Sequence, residues 1–508
     1  MSVRPAAPSA LRSSLIGSSL LGLVVLGAPG ARAAVINVTS TADGGAGSLR
    51  AAFDTANGNA EADEIVLQSG ATYDLTNCGG GTEENANADG DLDHAAAEAI
   101  TIIGNGATIR NTCTDERVIH AVSGTGLLTL RDVTITGGAI AGAGGGVRTE
   151  GAPVTLLESI VTGNTAASGG GISTGSATVS IDGSTLSSNQ TTTSSGGAIH
   201  TSGGLVTITS TAVSGNVSAD DGGGIRMSVP GTLTISDSTF SGNTSGEDGG
   251  AVRSSASMFI RNTTISGNSA ALTGGGIQAV ADSAFNNITV TGNAAPAGEG
   301  GGIASVMDTT TLSNSIVAGN SGGDCDANGG ALVSQGNNID GDGSCGLSGP
   351  GDKPATDPKL GPLADNGGPT PTHALLEGSP AIGAGNETIA RGGPACEPAD
   401  QRGAPRKDCD IGAYERVVCG KAVVNRIGTS GEDVLMGTSQ ADGLLGLDGK
   451  DTLKGKGGKD GLCGGAGKDT LKGGGGKDLL RGEGGKDTCI GQGGKDKARA
   501  CEKTKKVP

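Results

Sequence analysis

The sequence predicts an all-β chain: a right-handed parallel β-helix solenoid followed by a parallel β-roll. Three observations carry this. The middle of the chain repeats with steps of 25, 27, 26, 27, 25 and 26 residues, marked by a Val or Ile after a Gly-rich turn (Val147, Ile172, Ile199, Ile225, Val252, Ile277 and Ile303). Near the end, eight nine-residue units run without a slip from Gly428 to Arg499. The composition is 97 Gly with no Trp, two Tyr and four Phe, which suits thin strands and tight turns rather than an aromatic core.

Within each long period an alternating strand follows the turn, such as Val154 to Leu156, Val179 to Ile181, Val206 to Ile208 and Leu233 to Ile235. An Asn recurs in phase at 164, 189, 216, 243, 268, 293 and 320, three residues after an apolar side chain. Three short strands per period cannot bury their apolar faces alone. Stacking coils about 4.8 Å apart in parallel pairs them, and the crossover rule makes the helix right-handed. About a dozen coils from residue 36 to 345 predict a rod near ~55 Å long by that spacing. The Asn column is explained structurally: amides at one turn of every coil hydrogen-bond along the axis.

Residues 48–57 predict a short amphipathic helix with Ser48 as N-cap, covering the open first coil. Residues 350–416 lose the period and gain Pro, Asp and cysteines, and are expected to cap the other end. The expected organisation is a signal peptide (1–33), an N-terminal cap with first coils (34–99), the β-helix (100–349), an irregular cap (350–418), a linker (419–427), the roll (428–501) and a tail (502–508).

The first segment has the form of a secretory signal: Arg4 and Arg12, an apolar run from Leu15 to Leu26, and Ala31-Arg32-Ala33 before a cut at Ala34. That run is short for a membrane span, and no second one follows, so the mature chain is expected to be extracellular. Ten cysteines fit an oxidising compartment. None lies in a C-x-x-C, which argues against zinc. Local pairs Cys325–Cys345 and Cys396–Cys409 are expected, although spacing alone does not fix connectivity. A net charge of −17 argues against nucleic acid as a partner.

The nine-residue units open with Gly and carry Asp at the sixth place: Asp433, Asp442, Asp451, Asp460, Asp469, Asp478, Asp487 and Asp496. The eighth place is apolar or small, from Leu435 to Ala498. A Gly-rich turn ending in a carboxylate, then a short strand with one inward side chain, is the sequence form of a roll stapled by a divalent cation. Carboxylate and carbonyl oxygens favour calcium over transition metals. The pattern departs from the ideal in two ways. The opening Gly-Gly pair is complete only at Gly464-Gly465 and Gly473-Gly474, and Lys fills the fifth place in six units. A metal-poor glycine roll with solvated lysines is the alternative, and the first two units are expected to be the weakest sites.

Several stretches resemble known families. Residues 36–57 resemble the N-terminal module of secreted bacterial β-helix proteins with a CSLREA-type motif. Gly196-Gly197-Ala198-Ile199 and Phe240-Ser241-Gly242-Asn243 resemble the repeats of polymorphic membrane proteins. Residues 357–415 resemble the closing module of choice-of-anchor surface proteins. The final units resemble hemolysin-type (repeats-in-toxin) calcium-binding repeats. That last resemblance implies two units per coil, with Asp433, Asp451, Asp469 and Asp487 on one side and Asp442, Asp460, Asp478 and Asp496 on the other.

An enzyme is the competing reading. The position after each marker Val or Ile reads Arg148, Ser173, His200, Arg226, Arg253, Gln278 and Ala304, with Asp220, Asp221, Glu247 and Asp248 nearby. Such a face could bind an acidic glycan, but a solvated edge with local ion pairs is the simpler reading. No tight group of three carboxylates is apparent along any coil. Two G-x-S-x-G matches (171–175 and 319–323) are what chance gives in so Gly-rich a chain, and the four histidines are scattered. The expectation is a secreted, non-enzymatic calcium-binding protein with a structural or adhesive role, its partner a cell-surface or matrix glycan or protein. A polysaccharide lyase or hydrolase acting from the β-helix groove is the alternative.

Overall fold

The structure, a computed structural model, describes residues 34–79, 85–122, 124–327, 329–387 and 394–507. The signal-peptide expectation for residues 1–33 lies outside them. The chain forms a β-solenoid of about 12 turns, followed by a second region of parallel sheets. No helix among the described residues is long and apolar enough to cross a membrane.

Each coil contributes to three main stacks, and five coils add a two-residue strand, from Thr165–Ala166 to Ser269–Ala270, to a fourth parallel sheet that the sequence did not predict. One carries the alternating strands, in register Val154↔Val179↔Val206↔Leu233↔Met258. The next carries Val161↔Leu186↔Val213↔Phe240↔Ile265↔Val290↔Val317. The third is a 10-stranded sheet through Ile119, Val147, Ile172, Ile199, Ile225, Val252, Ile277 and Ile303. All these side chains point inward and are at most 1% exposed, forming one continuous core. The corner between the first two stacks needs a left-handed residue in each coil. Asp132, Glu158, Gly183, Ser210, Asp237, Asn262, Asn287 and Asn314 fill it, mostly residue types that tolerate this backbone.

The Asn column forms the expected ladder. Asn164 Nδ2 donates to Asn189 Oδ1 at 3.0 Å, and the chain continues through Asn216, Asn243, Asn268 and Asn293 to Asn320, which ends on Asp324 Oδ1 at 2.9 Å. The N-terminal helix spans Leu49–Asn57, with Ser48 Oγ accepting from Ala51 N at 3.2 Å, and buries Leu49, Phe53 and Ala56 over the first coil.

Residues 346–356 close the far end, and the following segment runs back along the outside of the second stack. Gln401 Oε1 accepts from Thr264 Oγ1 at 2.6 Å, Ser266 Oγ lies 2.9 Å from His373 Nε2, and Ala413 N donates to Thr289 Oγ1 at 3.0 Å. The hub of this strap is Arg402. It is ion-paired to Asp400 at 2.8 Å, stacked 3.8 Å over the Tyr414 ring and bonded to the carbonyls of Glu415 and Val424. The last of these ties strap to roll, and Ala404, Cys419, Val424, Ile427, Leu445 and Cys463 bury together at the joint. The cysteines pair as Cys78–Cys113, Cys325–Cys345, Cys396–Cys409, Cys419–Cys463 and Cys489–Cys501. The two pairs expected from spacing are among them, and Cys419–Cys463 anchors the third turn-forming strand to the linker.

Candidate metal centre in the turns of the C-terminal roll

Two nine-residue units make one turn, and their strands build two five-stranded parallel sheets. The eighth-place side chains Leu444, Leu453, Leu462, Leu471, Leu480 and Cys489 meet between the sheets with 0% exposure. This apolar spine holds the turns in register, so residues 18 apart in sequence stack directly.

The sixth-place carboxylates therefore form two columns. In one, Asp433 N donates to Asp451 Oδ1 (2.9 Å), Asp451 N to Asp469 Oδ1 (2.8 Å) and Asp469 N to Asp487 Oδ1 (2.9 Å). In the other, Asp442, Asp460, Asp478 and Asp496 are linked in the same way at 2.9–3.0 Å. Side chains from outside the repeats close the ends. Asn425 Nδ2 donates to Asp442 Oδ1, and Asp487 N donates to Glu502 Oε2.

In six units the ladder thereby uses one oxygen of the carboxylate and leaves the second. Oδ2 of Asp451, Asp460, Asp469, Asp478, Asp487 and Asp496 is buried without a hydrogen-bond partner. A buried anionic oxygen left in that condition costs free energy until a cation or proton meets it. It faces the first-place glycine of its own unit: a Cβ on Gly446 would collide with Asp451 Oδ2 and with the carbonyl oxygen of Gly464. Gly at that place lets the carboxylate oxygen and the carbonyl of the next turn approach the backbone closely.

Asp433 and Asp442 differ. The second place of their units is Thr, and Thr429 and Thr438 each donate both N–H and hydroxyl to Oδ2 of the unit's Asp, at 2.6–3.0 Å. In the next six units the second residue (Leu447, Lys456, Gly465, Gly474, Glu483 or Gln492) is left-handed, and no side chain reaches Oδ2. The fourth place is equally divided. Gly476 has φ +136° and a Cβ there would strike the Gly458 carbonyl, whereas Gln440 is accommodated in the second unit because its Thr turn takes another course.

The electrostatics follow the same division. Burial pushes the Asp460 carboxyl up to about 6, aided by the charges of Asp478 and Asp442 and opposed by the Asp442 N–H. Burial likewise raises Asp451, Asp469 and Asp478. At Asp442 burial also pushes upward, but the Thr438 N–H, the Asn425 amide and the Thr438 hydroxyl outweigh it, and the group sits below its usual value. The fifth-place lysines, Lys450 to Lys495, are all exposed.

Among the described residues, three other clusters bring ligand-type atoms within 4.8 Å of one another: Asp91, Asp93 and His120; Asp220, Asp221 and Glu247; and Asp324, Asp340 and Asp342. The second and third are trios of carboxylates, which reading single coils did not bring together. Asp220 and Asp221 belong to one coil and Glu247 to the next, so stacking, not local sequence, assembles them. They flank an outward column on the third sheet, in register Asp93↔His120↔Arg148↔Ser173↔His200↔Arg226↔Arg253↔Gln278↔Ala304↔Asp326. Asp221 pairs with both Arg226 (3.2 Å) and Arg253 (3.1 Å), and Arg148 pairs with Glu150 (2.9 Å). Burial pushes Asp91 up to about 7, with Asp93 adding to it.

Residues 170–342 match the family described as right handed beta helix region, and residues 427–462 and 464–498 match the RTX calcium-binding nonapeptide repeat. No curated protein matches the sequence. Among solved structures the chain is similar to pectate lyase Pel9A, at 14% identity and a TM-score of 0.35, over 76% of this chain and 96% of that one. It is also similar to a mutant of the PL6 family alginate lyase AlyGC, at 11% identity and a TM-score of 0.25, over 91% of this chain and 72% of that one. Both are lyases by name, and the expectation of a non-enzymatic chain is not supported. A column of polar side chains on a parallel β-helix is no ground for excluding catalysis. The chain thus joins a right-handed β-helix to a roll whose repeats match the RTX calcium-binding nonapeptide model.

Proposed function

We propose that the roll binds calcium outside the cell at Asp451, Asp460, Asp469, Asp478, Asp487 and Asp496, and that this binding completes its fold. The supporting observation is the set of six buried Oδ2 atoms without partners, each beside a glycine. Calcium at these turns supplies the positive charge that the buried carboxylates lack. Asp433 and Asp442, at the start of the columns, have Oδ2 already engaged by Thr429 and Thr438 and contribute least. Because unfolded turns present no such set of oxygens, metal binding and folding are coupled. Five disulfides support an oxidising, extracellular setting. Hydrogen exchange of the full chain tests this: the amides of residues 446–499 gain protection with calcium and lose it with chelator. Equal protection in both would remove the proposal.

The rod, covered at both ends and strapped along its side, serves on this reading as a structural or adhesive element that carries the roll at a surface or in a matrix. A second reading, a polysaccharide lyase or hydrolase, is favoured by one observation: Asp221, raised mainly by burial, sits between Arg226 and Arg253 beside Asp220 and Glu247. A depolymerisation screen against acidic glycans, with Asp221→Asn as the control, decides it. Cleavage lost in the variant establishes the enzyme.

A further inference from the structure

The charge of this chain is unevenly placed. Residues 419–508 carry 17 Lys and Arg against 12 Asp and Glu, a net of +5 within a chain of net −17, so the preceding residues hold −22. Much of the positive charge converges on one groove of about 550 Å³. Its wall is the linker hairpin, Val418–Cys419 paired with Ala422–Val423, and its floor is the outer face of the roll sheet that contains Leu479–Gly485 and Lys497–Arg499. Lys421, Lys459, Lys477, Arg481, Lys497 and Arg499 line it. Arg481 stacks on Arg499 across one strand spacing, and Lys459 and Lys477 lie one turn apart on the rim. None of the six takes part in an ion pair among the described residues. The two acidic residues at the groove, Asp460 and Asp478, are buried beneath it at 3% and 2% exposure. Like charges are held about 4.8 Å apart by the ladder itself, so the groove presents a fixed cationic row that attracts an extended polyanion.

We propose that this groove binds an acidic polysaccharide, a chain bearing carboxylate or sulfate groups at regular intervals. Its concave shape fits a single polymer strand better than a flat lipid surface. No aromatic side chain lines it, which removes the stacking platform that single-stranded nucleic acid uses. The Cys419–Cys463 disulfide and the buried joint fix the wall against the floor, so the site is preformed once the roll is folded. Should calcium meet the Asp460 and Asp478 carboxylates below, as proposed above, the groove becomes more positive still. The inference rests on that reading only through the folding of the roll.

The test uses the full chain in saturating calcium, with labelled hyaluronan as the carboxylate probe and dextran sulfate as the sulfate probe. Binding to at least one, weakened by added salt, is expected. Lys477→Glu with Arg481→Glu should weaken it roughly tenfold, as should the separate pair Lys497→Glu with Arg499→Glu near the frayed end of the sheet, where folding is least at risk. Lys468→Glu, on the opposite column, should change it less than about twofold. Capture of hyaluronan alone or dextran sulfate alone identifies the anionic group. No binding to either, equal weakening by Lys468→Glu, or tighter binding to single-stranded DNA or phosphatidylserine vesicles overturns the proposal. Amide exchange in the same samples separates the two claims. Polymer binding without any calcium-dependent protection defeats the calcium reading and leaves the groove; calcium-dependent protection without polymer binding does the reverse.

Discussion

Asp451 donates its backbone N–H to Oδ1 of Asp469 at 2.8 Å, while Oδ2 of Asp469 is buried with no partner. The ladder thus consumes half of each carboxylate in holding the turns together and leaves the other half for a cation. Replacing Asp469 by Asn keeps the Oδ1 acceptor and removes the charge. The expected outcome is loss of about one calcium site and weaker affinity at its neighbours, since bound ions share the column. Asp433→Asn, where two Thr429 donors already hold Oδ2, should leave the stoichiometry unchanged. Calcium titration calorimetry of both variants checks this pair.

The raised Asp carboxyls give the roll a pH dependence whose sign depends on metal. Without calcium, Asp460 titrates at about 6 in the folded roll, above the ~3.9 of an unfolded chain, so the folded state binds more protons between those values. Stability in chelator is therefore greatest below about pH 4 and falls as pH rises through 6. With calcium present the ionised form is required, and affinity should fall as pH drops below 6. Thermal melts across this window, with and without chelator, should show opposite slopes.

Thr438→Val leaves Asp442 Oδ2 without its hydroxyl donor. A cost of about 1–2 kcal/mol is expected at the start of the roll, equal in calcium and in chelator if this unit holds no metal. Urea melts under both conditions measure it.

In the rod, Asn243 donates to Asn268 Oδ1 and accepts from Asn216, both at 2.9 Å, at 0% exposure. Asn243→Leu strands the Asn216 amide and should destabilise the rod by about 2–4 kcal/mol, with no effect on calcium binding. Differential scanning calorimetry would resolve the two transitions.

Arg402→Ala removes a guanidinium that pairs with Asp400, stacks on Tyr414 and reaches Val424 O. Leaving the Asp400 charge buried should cost about 3–5 kcal/mol and loosen the strap from the roll, seen as faster proteolysis between residues 357 and 427.

Legibility in the sequence followed periodicity. Features that repeat, such as Val and Ile in the three sheets, the Asn ladder and the sixth-place Asp, could be placed because stacking turns sequence spacing into spatial columns. The strap was not foreseen lying along the rod. Its anchors, Gln401 and His373, occur once each and bond to ordinary coil threonines and serines. Asp220, Asp221 and Glu247 could be named beside the column but not grouped, because one coil supplies two of them and its neighbour the third. Thr429 and Thr438 read as degenerate glycines, yet each caps its Asp through a local turn. The Cys419–Cys463 pairing needed the fold of the joint, which no spacing reveals.

The most direct measurement is the calcium content of the full chain after equilibrium dialysis at millimolar calcium, compared with a variant carrying Asn at Asp451, Asp460, Asp469, Asp478, Asp487 and Asp496. Several ions per chain that vanish in the variant are expected. An unmodified chain that retains no calcium, or a variant that retains as much, would contradict the assignment.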